Sequence, residues 1–260
     1  MTQSIHPAAA HGFSQGAALY QQVRPDYPAT LVPWLKQQLP DRPELKLLDL
    51  GTGTGKFLPT LLQLSSDILA VDPVAEMLQQ LTTQFPNIQS VQGSSTQLPC
   101  ANQQIDAIFC AQSFHWFAQD ESLKELHRVL KPQGDLFLIW NQRDIRVNWV
   151  NALAESLLAY EGNTPRYHSG QWQQVMNASP LFENVATHQI TYLHEGRVED
   201  VVSRRLLSTS FIASMPAQQQ QQLKHTFEEI VQRHTGLTAQ NHIAFPYVTH
   251  VYHYRRVDAV

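Results

Sequence analysis

The residues with the most chemical content lie in one run, Leu47-Leu48-Asp49-Leu50-Gly51-Thr52-Gly53-Thr54-Gly55-Lys56-Phe57. An apolar stretch leads into three glycines at alternate positions, which let the backbone turn tightly and approach a ligand where a Cβ would collide. A helix beginning near Thr54 adds unpaired N–H groups and the positive end of its dipole. Together these make a nucleotide-type cleft, for which three chemistries compete. A phosphate-gripping P-loop needs G-x-x-x-x-G-K-[ST]; here Leu50 stands at the leading glycine and Phe57 replaces the hydroxyl that holds magnesium. A dinucleotide turn needs G-x-G-x-x-G; counted from Gly51, the sixth position is Lys56, so the third glycine is displaced by one. What remains is D-x-G-x-G-x-G, in which Asp49, on the strand itself, faces the loop.

A second carboxylate strengthens that reading. Ile68-Leu69-Ala70-Val71-Asp72-Pro73 ends another apolar run with Asp72, 21 residues beyond Gly51, the spacing at which doubly wound folds set an acid against ribose hydroxyls. Each charge-assisted bond to such a hydroxyl contributes about 1.5–3 kcal/mol. The alternative for Asp72 is a cap at the turn before Pro73.

The elements that position these residues follow from periodicity. Leu45–Leu50, Ile68–Val71, Ile88–Val91, Ile105–Ala111 and Asp135–Trp140 are apolar runs of strand length. Helical spacing separates them: Leu58, Leu61, Leu62 and Leu64; then Val74, Met77, Leu78 and Leu81; then Leu123, Leu126 and Leu130. Strands apolar on both faces and joined by helical crossovers predict an α/β, doubly wound parallel sheet. Beyond Asn141 the alternation fades into a helix at Val147–Tyr160, a strand at Asn184–Tyr192, a polar helix at Gln218–His234 and a strand at Ile243–Arg256. The five glutamines Gln218–Gln222 read as the solvated face of that helix, because Leu223, Phe227 and Ile230 follow at helical spacing.

The glycine run resembles motif I of the class I S-adenosylmethionine-dependent methyltransferases. Val91-Gln92-Gly93-Ser94-Ser95-Thr96-Gln97-Leu98-Pro99 resembles the family's adenine-lining stretch, and Ala111-Gln112-Ser113-Phe114-His115-Trp116-Phe117, then Leu126–Gly134 with Leu138-Ile139-Trp140-Asn141, look like its small-molecule, trans-aconitate methyltransferase-like branch (methyltransferase type 11). Upstream, Phe13, Tyr20, Arg24-Pro25 and Tyr27-Pro28 are similar to the N-terminal cover of that branch. The resemblance implies a seven-stranded Rossmann-like sheet with a C-terminal helical cap and a final antiparallel strand. Residues 1–144 would form the cover helices and cofactor-binding core, and 145–260 the substrate cap with the last two strands, in one continuous domain. It implies S-adenosyl-L-methionine as cofactor, held by Tyr20, Arg24, Asp49, Gly51, Thr52, Gly53, Gly55, Asp72, Pro73, Met77, Ser94, Ser95, Ala111 and Phe114. Ser94 and Ser95 would line the adenine, although a plain turn also fits them. Tyr20 and Arg24, four apart on one helix face, would pair with the methionine carboxylate, or else form an ordinary surface helix.

The acceptor is expected near His115, Trp116, Trp140, Asn141 and Arg143, because ligands of open α/β sheets bind beyond the carboxyl ends of strands. A carboxylate acceptor arrives ionised and needs no general base; an alcohol or amine needs one, and His115 is the best placed. The alternatives are a gate role for His115 and core or pocket-wall roles for the two tryptophans. Arg143, Arg204 and Arg205 are candidates to pair with an anionic acceptor.

Composition narrows the rest. With 260 residues, 43% hydrophobic, 15% charged and a net charge of -4, the chain is globular, and lacking a Lys/Arg run it is expected to bind neither nucleic acid nor a membrane surface. Two cysteines, Cys100 and Cys110, make neither a disulfide framework nor a zinc site, and His250 and His253 sit three apart on a strand, so no metal is expected. The start MTQSIHPAAAHGFSQG carries no secretory pattern, so the expectation is a cytoplasmic enzyme, monomer or homodimer, acting on a small molecule. The competing functional class is a catalytically silent cofactor-binding module that holds a protein partner. An NAD-linked oxidoreductase is opposed by the displaced glycine.

Overall fold

The computed structural model describes residues 19, 21–42 and 44–258. In chain order the elements are α1 (Leu31–Gln38), β1 (Leu47–Leu50), α2 (Leu58–Leu61), β2 (Ile68–Asp72), α3 (Ala75–Gln84), β3 (Gln89–Gln92) and β4 (Ile105–Ala111). A 3₁₀ turn at Phe114–Trp116 leads to α4 (Asp120–Val129), β5 (Leu130–Arg143), α5 (Asn148–Glu161), α6 (Gln171–Ala178) and β6 (Phe182–Arg197). A π-helical turn at Glu199–Arg204 runs into α7 (Arg205–Leu207), then α8 (Ser210–Ala213), α9 (Ala217–Thr235) and β7 (His242–Arg256).

All seven strands join one open, mixed sheet in the order β3-β2-β1-β4-β5-β7-β6. The pairs β3–β2, β2–β1, β1–β4 and β4–β5 are parallel, with Leu48 opposite Leu69 on one side and Ile108 on the other. β1 and β2 are buried at every position, as the unbroken apolar runs require of strands covered on both faces. The chain leaves β1 in one direction toward β2 and β3 and returns on the other side as β4. This reversal puts a topological switch point at the carboxyl ends of β1 and β4, where doubly wound sheets bind ligands.

The residues divide into two compact units. The first comprises Tyr27–Trp140, Pro165–Ile190 and the chain from Thr249; the second comprises the described residues up to Asp26 with Asn141–Thr164 and Thr191–Val248. The first has an apolar cluster on each side of its sheet, one including Leu48, Ile108, Leu126, Leu138 and Trp172, the other Leu35, Leu47, Phe57, Phe109 and Phe137. The second has its own core, with Leu153, Leu157, Val202, Phe227, Phe245 and Tyr247.

Three elements differ in extent from the sequence expectation. β5 spans Leu130–Arg143 rather than Asp135–Trp140, because Ile105 pairs with Leu130 across a bulge that an apolar-run criterion does not see. β6 continues to Arg197 with alternate residues exposed, the pattern of a strand lying at the sheet edge. α2 is a single turn beginning at Leu58-Pro59; the bonds from Gln63 N–H to Thr60 and Leu64 N–H to Leu61 tighten its end and leave Leu62 exposed. α9 turns its glutamines outward and buries Leu223, Phe227 and Val231, with Ile230 packed at the margin of the same core.

Candidate active site

The β1–α2 loop is shaped by two glycines for different reasons. Gly51 has a φ of 71°, and a Cβ placed on it would stand 2.4 Å from Ser113 Cβ. Ser113 belongs to the turn after β4, and its hydroxyl donates to the Leu50 carbonyl at 2.7 Å, closing the ends of β1 and β4 together. Gly53 has a φ of 57°, yet a Cβ there would meet nothing within 4 Å. Its lack of a side chain therefore keeps space open rather than relieving a clash.

Two carboxylates converge on this loop. Asp72 accepts the Gly53 N–H on Oδ2 and the Val74 N–H on Oδ1, both at 2.8 Å. It thus caps the turn before α3 and also ties β2 to the glycine loop; a carboxylate has about four acceptor positions, so about two remain for ligand hydroxyls. Burial pushes its pKa up to about 6, against the lowering pull of those two N–H groups. Asp49 is fully enclosed; its Oδ2 accepts the Thr52 hydroxyl at 2.6 Å, and its Oδ1 has no partner. Burial first, and then the charge of Asp72, raise Asp49 to about 7 although the Thr52 bond opposes them. A buried carboxylate oxygen left without a donor calls for one from a ligand.

Beyond β2, Pro73 accepts a bond from the Gln92 amide through its carbonyl, and Met77 packs in the first turns of α3. Beyond β3, Gly93 N–H donates to the Asp72 carbonyl. Ser94 is exposed and forms a turn with Gln97, whereas the Ser95 hydroxyl is buried against that of Ser122 at 2.8 Å. The turn reading and a side-chain contact to a ligand are thus both open for Ser94, while the Ser95 hydroxyl is engaged within the fold.

At the end of β4, Ala111 precedes Gln112, which adopts a left-handed φ of 61° and donates its N–H to the Ile139 carbonyl. A non-glycine residue held there is strained, and such strain gathers at functional sites. His115 follows, partly exposed, with its ring 5.1 Å from that of Trp116. Its Nδ1 lies 3.1 Å from Trp140 Nε1. An indole nitrogen only donates, so His115 Nδ1 is an acceptor and the neutral ring carries its proton on Nε2. Burial, then the positive charge of Arg166, then that of His168 hold its pKa down to about 3. His115 is therefore a neutral hydrogen-bond donor whose basic nitrogen is already occupied.

The structure distributes the remaining expected residues unevenly. Phe114, expected at the cofactor, has its ring wholly in the core against Phe117. Trp140 is fully buried in an apolar cluster, with its ring 4.5 Å from that of Trp172. Asn141 and Arg143 fall in the second unit, where Asn141 donates to the Asp26 carbonyl at 3.0 Å. Arg24, expected to pair with the methionine carboxylate, donates instead to the hydroxyl and carbonyl of Ser208 at 2.9 and 2.8 Å. Tyr20 and Phe13 lie outside the described residues. Sequence reasoning did not single out Ser113, Arg166 or His168: the role of Ser113 shows only once it packs on Gly51, and the other two lie in a loop without a motif.

Comparison with known proteins matches residues 48–138 to a methyltransferase domain family. A methyltransferase of Mycobacterium bovis, Mb3374, is 33% identical over 240 residues, covering 91% of this chain and 92% of its own length. The methyltransferase-like C25B8.10 of Schizosaccharomyces pombe is 38% identical over 164 residues, which are 63% of this chain and 64% of that relative, just under two thirds of its length. Among solved structures, one assigned as a type II methyltransferase from Anaeromyxobacter dehalogenans superposes with a TM-score of 0.67 at 18% identity, covering 90% of this chain and 97% of its own.

Proposed function

Because the chain belongs to the class I S-adenosylmethionine-dependent methyltransferases, we propose that it methylates the ionised carboxylate of a small-molecule acid without a general base. The observation that carries this reading is the pairing of His115 Nδ1 with the Trp140 indole, beside Arg166 and His168. An alcohol or amine acceptor must lose a proton, and the nitrogen best placed to take it is already engaged. A carboxylate has no proton to lose, and the charge of Arg166 favours it.

The cleft fits the cofactor's chemistry. Asp72 has acceptor positions left for the ribose hydroxyls, Gly53 leaves room, and the unpartnered oxygen of Asp49 suits the cofactor's cationic amino-acid end. When bound, S-adenosylmethionine supplies a methyl group on a positively charged sulfur, open to in-line displacement. The chain then has to orient the acceptor: His115 Nε2–H donates to one carboxylate oxygen, while Arg166 supplies positive potential. Trp116 and Trp140 wall the site and exclude water. Holding two reactants in line can be worth roughly 7–11 kcal/mol, enough for catalysis without covalent participation by the protein. Asp49, Gly51, Thr52, Gly53, Gly55, Asp72, Pro73, Met77, Ser94 and Ala111 are the residues assigned to the cofactor.

Incubation with radiolabelled methyl donor and a panel of metabolite acids, amines, alcohols and phenols tests the acceptor class. The label is expected in esters that release methanol in mild base. Label confined to base-stable N-methyl or ether products would overturn the reading.

A further inference from the structure

The second unit holds a buried guanidinium with no ion pair among the described residues. Arg205, at the start of α7, is only 8% exposed, and its Nε has no hydrogen-bond partner. Its guanidinium carbon stands 5.9 Å from the centroid of the Tyr247 ring, and the Tyr247 hydroxyl is likewise buried without a partner. Arg143, at the end of β5, is near enough for the charge of Arg205 to count. Burial and then Arg205 lower its pKa to about 10, while Tyr247 and Glu161 act the other way. Neither arginine has an ion pair among the described residues.

The adjoining cations are engaged elsewhere. Arg24 is bound to Ser208, and Arg204 pairs with Asp200 and also donates to Gln22. The Ser208 hydroxyl in turn donates to the Arg205 carbonyl at 2.7 Å, so the backbone that presents Arg205 is fixed. A guanidinium cannot lose its charge inside a protein, and burying one without an anion is costly, so an apolar side chain would serve the fold better. That cost is removed when an anion binds.

We propose that Arg143, Arg205 and Tyr247 form a binding site for a small carboxylate. Arg143 and Arg205 repel each other and Glu161 offsets part of the charge on Arg143, so a carboxylate monoanion suits the remaining positive charge. The planar guanidinium fork suits the planar carboxylate, and the Tyr247 hydroxyl is a third donor beside an aromatic surface. All three residues belong to the second unit, and anion binding there does not depend on which atom the enzyme methylates.

Titration calorimetry on the full chain saturated with S-adenosylhomocysteine, using propionate, propionamide and inorganic phosphate, tests this. Propionate is expected to bind and propionamide not. Arg143→Gln and Arg205→Gln should each weaken propionate about tenfold or more, while Arg205→Lys and Tyr247→Phe lose less. Arg205→Met, which removes an unpaired buried charge, is expected to melt at or above the wild-type temperature without ligand. Propionate binding unchanged in Arg143→Gln and Arg205→Gln, absent from the wild type, or weaker than phosphate binding would overturn the proposal. So would a lower melting temperature of Arg205→Met together with unchanged propionate binding.

Discussion

Replacing Asp72 with alanine is expected to weaken S-adenosylhomocysteine binding by roughly a hundredfold or more, read by titration calorimetry at pH 8. Two charge-assisted bonds to ribose hydroxyls contribute about 1.5–3 kcal/mol each, and about 1.4 kcal/mol is a tenfold change in affinity. The substitution also removes the acceptor of the Gly53 and Val74 N–H groups, so the loop loosens as the ligand contact is lost. Asp72→Asn, which keeps one acceptor oxygen, should fall between. The same carboxylates give the wild type a pH dependence. Ligand hydroxyls and an ammonium group favour ionised Asp72 and Asp49, which lose that form as pH falls through about 6 and about 7 respectively. Affinity should therefore weaken from pH 8 to pH 5. For the ligand-free fold the sign is opposite: both carboxyls are raised above their ordinary values, so their contribution to stability is full in acid and is lost as pH rises through 6 to 7. An affinity that is level across this range, with Asp72→Ala binding as wild type, would show that neither carboxylate faces the ligand.

Gly51→Ala is expected to cost stability, and Gly53→Ala to cost affinity. At Gly51 the new Cβ would sit 2.4 Å from Ser113 Cβ at a left-handed φ. The backbone conformation costs roughly 1–2 kcal/mol and the overpacking roughly 1–3 kcal/mol more. The Ser113–Leu50 bond that joins the ends of β1 and β4 would be pushed apart, so thermal denaturation should show a marked fall in melting temperature. At Gly53 the Cβ enters open space, so only the backbone term of about 1–2 kcal/mol applies to the fold. With the cofactor bound as proposed, the added methyl would meet it, and S-adenosylhomocysteine affinity should drop more than the melting temperature does. If Gly51→Ala keeps its stability, or Gly53→Ala binds as the wild type, these two assignments fail.

These contrasts mark how far the sequence could be read. That Asp49, Gly51, Gly53 and Asp72 meet at one loop was legible because the arrangement is local: each lies within a few residues of a strand end, and the spacing between strands sets where the second acid falls. The parallel pairing of the first five strands followed from their apolar runs and the helical crossovers between them. Properties set by distant chain were not legible. Ser113 explains Gly51 across 62 residues, Arg166 and His168 reach His115 from a loop without a motif, and Arg24 meets a serine 184 residues away. Phe114 illustrates the limit from the other side: its place in the quoted run pointed to the cofactor, but its ring turns into the core, because one residue of rotation in a 3₁₀ turn decides which side chain faces the crevice. The polar start of β5 was missed because its strand character comes from pairing with β4 rather than from apolar residues.

Whether His115 acts as a neutral donor rather than a base is tested directly by His115→Gln. Glutamine keeps a hydrogen-bond donor and offers its carbonyl oxygen to the Trp140 indole, but it accepts no proton near neutral pH. With a carboxylic acceptor and saturating cofactor, kcat at pH 8 is expected to stay within about fivefold of the wild type. A positioned general base contributes roughly 10²–10⁴-fold, so a loss of that size in the folded, cofactor-binding variant would contradict the account.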